Sequence, residues 1–549
     1  EIDDKVSRLL LLAQRMRALN GSASPDGSGQ IASSHSALID PAVVRDVTAR
    51  SFVLLRNEGL LPLWAGSAAR VAVIGPNAIE PQMQGGGSVR VLPVKRPGIA
   101  ESIGEALDAQ VTVSQGCITS ATVPAPAEGS VHDPVTGKNG VRLTIRTADG
   151  TVIHDAPFSK TDVTWWDGLP EGWSDRGSQI VLRARFKPDV DGPHEIGAAG
   201  VGHIRVVIDG SVAGEADHPQ PQESVEALSR PQELRVTAGF RKGREVEVAV
   251  ELTIGGQLPA MRMGIGPQLD DERLLDEAVQ AAAAADVAVV VVGSADGTES
   301  EGYDRTTLAL PGRQDELVRR VAAANPNTVV VVNSGMPVLM PWAEAVPAVI
   351  QAWLPGQAFG EALAEVLSGN GEPGGRLPIS LPRLETDSPV MQATPESGAL
   401  VYSEGLLVGY RGFDRKGIEP LFGFGHGLGY TEWDYASITP ATTSLDPGRD
   451  LDLSVIVRNA GTRTGHEVVQ VYLEGPDDDP RRPLRVLGGF TGIEAEAGES
   501  VAARLKVPAR AFMRFDELAG GWVTQPGTYV LRAGRSSRDL RLSAEVVMR

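Results

Sequence analysis

Apolar residues along this chain fall into distinct rhythms, and the changes of rhythm divide it. In residues 1–19 they recur every three or four positions, at Ile2, Val6, Leu9, Leu10, Ala13 and Met16, the spacing of one helix face. The stretch Asn20–Ser36, polar and rich in Gly and Ser, reads as a linker. Asp40-Pro41 then opens a helix, with a capping carboxylate and a proline at the first helical position. Val71-Ala-Val-Ile-Gly75 and Val111-Thr-Val113 are short apolar runs of the kind that form buried strands. The same texture returns after residue 266. A helix predicted over Asp271–Ala285 leads into Val287-Ala-Val-Val-Val-Val-Gly293, and a second over Gln314–Ala324 leads into Thr328-Val-Val-Val-Val-Asn333. Val349-Ile-Gln-Ala-Trp353 precedes a helix over Phe359–Leu367. Strands apolar throughout, alternating with helices, indicate a parallel sheet covered on both faces.

Between residues 118 and 266 helical periodicity gives way to short alternating strands, at Val141–Arg146, Ile180–Phe186, Ile204–Ile208, Leu234–Val236 and Glu245–Leu252. Asp149-Gly150, Asp191-Gly192 and Asp209-Gly210 supply turns between them, the grammar of a β-sandwich. From residue 436 the chain is all-β again, with strands over Asp452–Arg458, Glu467–Leu473, Ala502–Val507 and Gly527–Ala533, in a span of about 110 residues that suits a fibronectin- or immunoglobulin-like sandwich. The predicted fold class is multidomain, α/β plus all-β: an α/β sandwich interrupted by an inserted β-sandwich and followed by a fibronectin III-like β-sandwich. The boundaries expected are 32–117 with 267–390 for the α/β sandwich, 118–266 for the insert, 391–435 for a connecting segment and 436–549 for the tail.

Composition narrows the functional classes. Against 51 Lys and Arg stand 70 Asp and Glu, a net charge of −19, and no basic stripe stands out. Nucleic acid and anionic membrane are therefore not expected partners. A single cysteine, Cys117, excludes an intrachain disulfide framework and a cysteine-rich metal site, and the eight histidines show no paired zinc spacing. No apolar run reaches the ~20 residues that span a bilayer; the longest, Ala281–Val292, is broken by Asp286. Localisation stays open, with the cytoplasm ahead of secretion. The opening helix, Glu1-Ile-Asp-Asp-Lys-Val, reads as if cut from something longer.

Chemistry concentrates in Ser294-Ala-Asp-Gly-Thr-Glu-Ser-Glu-Gly-Tyr-Asp-Arg305, directly after an apolar strand. Ligand sites of parallel α/β sheets lie beyond the carboxyl ends of the strands, so the address is right. Asp296, Glu299, Glu301 and Asp304 crowd this segment, and a carboxyl group among carboxylates holds its proton to higher pH, as a general acid must. The plainer alternative is a solvated acidic loop. Gly85-Gly-Gly-Ser-Val-Arg90 lacks the Lys-Ser/Thr ending of a phosphate loop and reads as a turn permitting close backbone approach. Gly423-Phe-Gly-His-Gly-Leu-Gly429 fails the dinucleotide fingerprint, its third glycine being Leu428, and no Gly-x-Ser-x-Gly elbow exists. Trp165 and Trp166, with Trp173 nearby, could stack on sugar rings or fill the core of the insert.

Taken together, these stretches resemble a known family. Glu299-Ser-Glu-Gly-Tyr-Asp-Arg305 followed by Leu310-Pro-Gly-Arg-Gln-Asp-Glu-Leu-Val318 is similar to the acid/base segment of glycoside hydrolase family 3. Ser51-Phe-Val-Leu-Leu-Arg-Asn-Glu-Gly-Leu-Leu-Pro-Leu63 resembles the start of its α/β sandwich, and Gln84-Gly-Gly-Gly-Ser88 its glycine loop. Trp353-Leu-Pro-Gly-Gln357, Gly374-Gly-Arg-Leu-Pro-Ile-Ser380, Tyr402–Asp414 and Pro420-Leu-Phe-Gly-Phe-Gly-His-Gly-Leu-Gly-Tyr-Thr431 fit the family in the same order. The insert resembles a protective-antigen-type carbohydrate-binding domain, through Asp191-Gly-Pro-His-Glu-Ile-Gly197 and Ile208-Asp-Gly210.

The resemblance implies a retaining β-glycosidase in which Glu301 is the general acid and then the base, with Glu299 as the fallback. Gly87, Ser88, Trp165 and Trp166 are the expected substrate-binding residues. The family's nucleophile is an Asp on an N-terminal (β/α)8 barrel, and this sequence holds no such barrel. Residues 1–31 resemble only its end and linker, so the barrel is expected as a separate chain or a lost fragment. A carbohydrate or glycoside is the expected substrate, with no metal and no organic cofactor, and a homodimer is kept open. β-Glucosidase leads over β-xylosidase or another exo-glycosidase of the family. A non-catalytic carbohydrate-binding fragment and hydrolysis by this chain alone are the rivals.

Overall fold

The computed structural model describes residues 5–8, 10–11 and 40–549, apart from 65, 67, 90, 92, 94–97, 166–176, 220–231, 256–259, 296, 302–303, 390–393 and 477–478. Residues 1–47 and 48–549 are two units. In the first, residues 5–8 and 10–11 are helical, and the rest of the helix predicted over 1–19, with its linker, lies outside the described residues. Helix α1 (Pro41–Ser51) begins where the sequence signals it, Asp40 accepting the Ala42 N–H at 2.9 Å.

The second unit is organised around one six-stranded sheet, and a short helix, α2 (Pro76–Ile79), follows its second strand. Its strands are β1 (Val53–Asn57), β2 (Arg70–Ile74), β3 (Gln110–Ser114), β4 (Val287–Gly293), β5 (Thr328–Asn333) and β6 (Ala348–Gln351), in the order β1-β6-β5-β4-β2-β3. Parallel pairing joins β2 to β4, from Val71 opposite Val287 to Ile74 opposite Val290. Chain segments more than 200 residues apart thus share one sheet, and only β1, antiparallel to β6, departs from the parallel pattern.

Burial explains the unbroken valine runs. Every residue of β4 and of β5 is buried, because both faces are covered. Val287, Val289, Val291, Val329 and Val331 face a layer that includes α3 (Ile99–Leu107) and α6 (Phe359–Ser368). Ala288, Val290, Val292, Val330 and Val332 face α4 (Asp271–Ala284) and α5 (Gln314–Ala324). Asp270 caps α4 by accepting the N–H groups of Glu272 and Arg273 at 3.0 and 3.4 Å. Cys117, the lone thiol, is fully buried here; burial, with Asp271 nearby, pushes its pKa up to about 12, which makes it an inert core residue.

Between β3 and α4 the insert forms a seven-stranded and a four-stranded antiparallel sheet packed around Leu143, Ile180, Leu182, Val206, Val250 and Ile265. Three of its strands, 152–158, 192–200 and 211–218, carry no clear alternating signal. The reason is plain in Gly192–Gly200, whose glycines make room for a neighbouring segment: a Cβ on Gly197 would lie 2.7 Å from Val123 Cβ. The same segment crowds Gly264 in the next strand, where a Cβ would lie 2.3 Å from the Val123 carbonyl oxygen.

The tail (residues 433–548) is a three-stranded and a five-stranded sheet enclosing Val455, Val457, Val469, Val471, Leu505 and Leu531. It meets the α/β sandwich through buried charge. Glu467, wholly buried, lies 2.8 Å from the Arg376 guanidinium and 2.7 Å from that of Arg535. The glycine-rich segment 423–429 runs through this joint. Leu428 bridges to Leu54 on β1, and the His426 ring bonds the Leu55 carbonyl at 2.8 Å.

Candidate active site

The carboxyl ends of β2, β4, β5 and β6 lie side by side, and polar residues end the apolar strands there. Asn333, fully buried at the tip of β5, donates to the carbonyls of Gln82 and Trp353 at 2.8 and 2.7 Å. Its Oδ1 accepts the Gln82 N–H at 2.8 Å and Asn77 Nδ2 at 3.2 Å. Gln351, on β6, donates to the Ser334 carbonyl at 2.7 Å, and Asn77 to that of Ser294 at 2.9 Å. On the far side Gln314 makes a two-way bond with the Gly293 backbone, both distances 2.8 Å. These amides satisfy backbone groups that the ends of a buried sheet leave open. They were not singled out as site residues from the sequence, although a lone Asn or Gln ending an apolar strand was the available signal.

On this floor stands the acidic loop. Glu299 Oε1 accepts the hydroxyls of Ser294 and Ser334 at 2.5 and 2.7 Å and the Met336 N–H at 3.1 Å. Its Oε2 accepts the Gly335 N–H at 2.9 Å. Gly335 permits that approach, since a Cβ there would sit 2.9 Å from Glu299 Oε2. The Glu299 backbone is also engaged, its carbonyl accepting the Gly86 N–H at 2.8 Å.

The glycine loop therefore lies directly on the acidic loop. Gln84 closes it, donating to the Val91 carbonyl at 2.6 Å and accepting the Val91 N–H at 3.0 Å. A Cβ on Gly86 would lie 3.2 Å from Ser300 Oγ. One on Gly87 would lie 2.7 Å from Cγ and 2.8 Å from Oε1 of Glu301. With φ of +79°, Gly87 also has a backbone conformation that suits only glycine. Two residues expected at the site from sequence, Gly87 and Glu301, are thus brought together, with the exposed Glu301 carboxyl resting against the glycine backbone.

The other expected residues are placed differently. Asp304 is exposed, and Arg305, half-buried, donates to the Pro337 carbonyl at 3.1 Å. Ser88 belongs to a short 3₁₀ turn over Gly87–Val89. Trp165 is half-buried and packs against the core of the insert. Trp166, Trp173 and Asp296 lie outside the described residues. Among the described residues no cluster of three or more His, Cys, Asp or Glu side chains could hold a metal ion.

Comparison with known proteins places this arrangement. Residues 52–430 match the glycosyl hydrolase family 3 C-terminal domain, and residues 467–537 match a fibronectin type III-like domain. The chain belongs to glycosyl hydrolase family 3. It is similar to a β-glucosidase of Rhizobium radiobacter, 34% identical over 98% of this chain and 66% of the relative. It is also similar to β-glucosidase B of Emericella nidulans, 32% identical over 99% of this chain and 66% of the relative. Among solved structures, the β-glucosidase of Kluyveromyces marxianus in complex with glucose superposes with a TM-score of 0.80 at 28% identity, covering 92% of this chain and 62% of that one. A β-glucosidase of Streptomyces venezuelae in complex with D-glucose gives 0.65 at 31% identity, covering 92% and 60%. The chain spans just under two thirds of the length of these relatives.

Proposed function

We propose that this chain is the C-terminal part of a retaining, exo-acting β-glucosidase, which removes terminal β-D-glucosyl residues and draws its general acid/base from Glu301. The observation that carries this reading is the seat of Glu301: an exposed carboxyl at the strand ends of a family 3 domain, backed by Gly87. The names of the relatives, all β-glucosidases, supply the sugar. The nucleophile is an Asp on a barrel supplied from outside these 549 residues. In retaining enzymes the two carboxyls stand about 5–5.5 Å apart. The barrel Asp attacks the anomeric carbon while Glu301 gives its proton to the departing oxygen. Glu301, now a carboxylate, then takes a proton from water as that water releases the sugar from the Asp.

The domain division follows the same reading, with the α/β sandwich over 32–117 and 267–390, the insert over 118–266 and the tail over 436–549. Ser88, beside Gly87, and Trp165 complete the proposed substrate contacts, Trp165 on the side of the leaving group.

The test is Glu301→Gln in the barrel-containing enzyme, assayed on aryl glycosides of graded leaving ability. Poor leaving groups should lose about 10²–10⁴-fold in kcat/KM, and activated ones far less. Equal loss on both, or none, would remove Glu301 from the role and promote Glu299. On the same panel Trp165→Ala should raise KM severalfold for bulky leaving groups only; a loss of stability with KM unchanged would make it purely a core residue.

A further inference from the structure

Glu299 and Glu301 share a loop, a side-chain type and a position beyond β4, yet they are held in opposite ways. Every hydrogen bond given to the Glu299 carboxylate above comes from a group whose own place is fixed by the sheet. Ser294 directly follows β4, and Ser334, Gly335 and Met336 directly follow β5. Two of the donors are consecutive backbone N–H groups, Gly335 to one carboxylate oxygen and Met336 to the other. A carboxylate satisfies both, whereas a carboxamide offers only one oxygen. The backbone of the same residue holds the glycine loop through the Gly86 N–H. One residue therefore ties three segments together, the tips of β4 and β5 through its side chain and the glycine loop through its carbonyl. The next residue but one rests its carboxyl on that glycine loop, at Gly87.

We infer that Glu299 is the positioning residue of the acid/base: its carboxylate, gripped by Ser294, Ser334, Gly335 and Met336, sets where Glu301 and its supporting glycine loop stand relative to the strand ends. The inference rests on Glu301 being the acid/base. It takes Glu299 out of contention for proton transfer, because both of its carboxylate oxygens are engaged by groups at the strand ends. Position matters on this scale, since displacing a reacting group by about 1 Å can cost about 10²-fold in rate.

The experiment compares Glu299→Gln with Glu301→Gln in the barrel-containing enzyme, measuring kcat on poor leaving groups, the alkaline limb of the pH profile, rescue by azide, and thermal unfolding. Without the Glu301 carboxylate the alkaline limb should flatten. Azide, no longer repelled, should then attack the glycosyl-enzyme, releasing glycosyl azide and the free nucleophile. Glu299→Gln should instead lose about 10²-fold in kcat while keeping an alkaline limb, displaced from its original pH, and should not be rescued by azide. If Glu299→Gln flattens the limb and responds to azide, Glu299 is itself the acid and the inference falls. If stability drops while kcat per folded molecule and the limb stay put, its role is only structural and the inference falls as well. Should Glu299→Gln not fold, Ser334→Ala removes a single donor and is read in the same way, with a smaller loss. An alkaline limb that survives in Glu301→Gln would instead overturn the reading of Glu301, whatever Glu299 does.

Discussion

Two regions of this molecule are built around a gripped glutamate, and they grip it differently. At the strand ends the Glu299 carboxylate is held by two serine hydroxyls and two backbone amides. At the joint between the α/β sandwich and the tail, Glu467 lies between the guanidinium groups of Arg376 and Arg535, and Asp414 lies between those of Arg485 and Arg538. Neutral donors anchored in a sheet act over a short range and a narrow range of angles, so they define where a carboxylate stands. Buried guanidinium–carboxylate pairs offset the cost of burying each other's charge, so what they define is whether two domains stay together. The first arrangement suits a site whose geometry counts; the second suits an attachment.

The contrast can be broken by variants that should each hurt only one property. Arg376→Ala leaves Glu467 buried with one of its two partners gone. It should cost about 3–5 kcal/mol of stability, read by denaturant unfolding, with kcat per folded molecule unchanged. A loss of activity without a loss of stability would merge the two regions. Gly87→Ala is the mirror case. The new Cβ meets Glu301, and the positive φ adds strain, so kcat/KM should fall about 10²-fold while the unfolding temperature falls only slightly. Unchanged kinetics would mean that the glycine loop does not support Glu301.

The smallest effect expected is one of pH, and it belongs to the joint. Burial pushes His426 below its ordinary value of 6.5, and the neighbouring Arg535 and Arg376 push the same way, against the Leu55 carbonyl and Asp539. A histidine depressed in the folded state contributes stability that is complete above 6.5 and is lost as pH falls from there towards the folded value, because the unfolded chain takes up the proton first. His426→Gln should flatten the decline of unfolding temperature between about pH 6.5 and 5.5. Part of the slope should remain, since burial depresses His466 as well. An unaltered slope would place the acid sensitivity outside this joint.

What could be read from the sequence followed from how many faces an element buries. Strands β4 and β5 are covered on both sides, so their valine runs announced a parallel sheet without the structure. The strand Gly192–Gly200 was hidden because close approach of the segment at Val123 calls for glycine and alanine, which leave no alternating pattern. The address from which Glu301 is proposed, a loop directly after an apolar strand, was legible. The grip on Glu299 was not, because its partners at 334–336 are distant in sequence and two of them act through backbone N–H groups, which any residue type would carry. The same limit meant that Glu301 was ranked ahead of its fallback, Glu299, by the family resemblance alone.

The pairing of β2 with β4 has a consequence for how the molecule assembles. Residues 70–74 leave the ribosome well before their partner strand, and joining the two directly would close a loop of roughly 210 residues. An insert that folds before this pairing would shorten that loop. Its two ends are stitched together, Ile118 donating to the Asp271 carboxylate at 2.7 Å and Ile265 to the Pro124 carbonyl at 3.1 Å. With the insert folded, the closure left to make is that of a short connection, easier by roughly 2–3 kcal/mol on the logarithmic dependence on loop length. On that order of events the inserted domain would serve the assembly of the sheet, and lesions confined to it should surface as slow or aborted maturation of the sheet that carries Glu301, read by refolding rates.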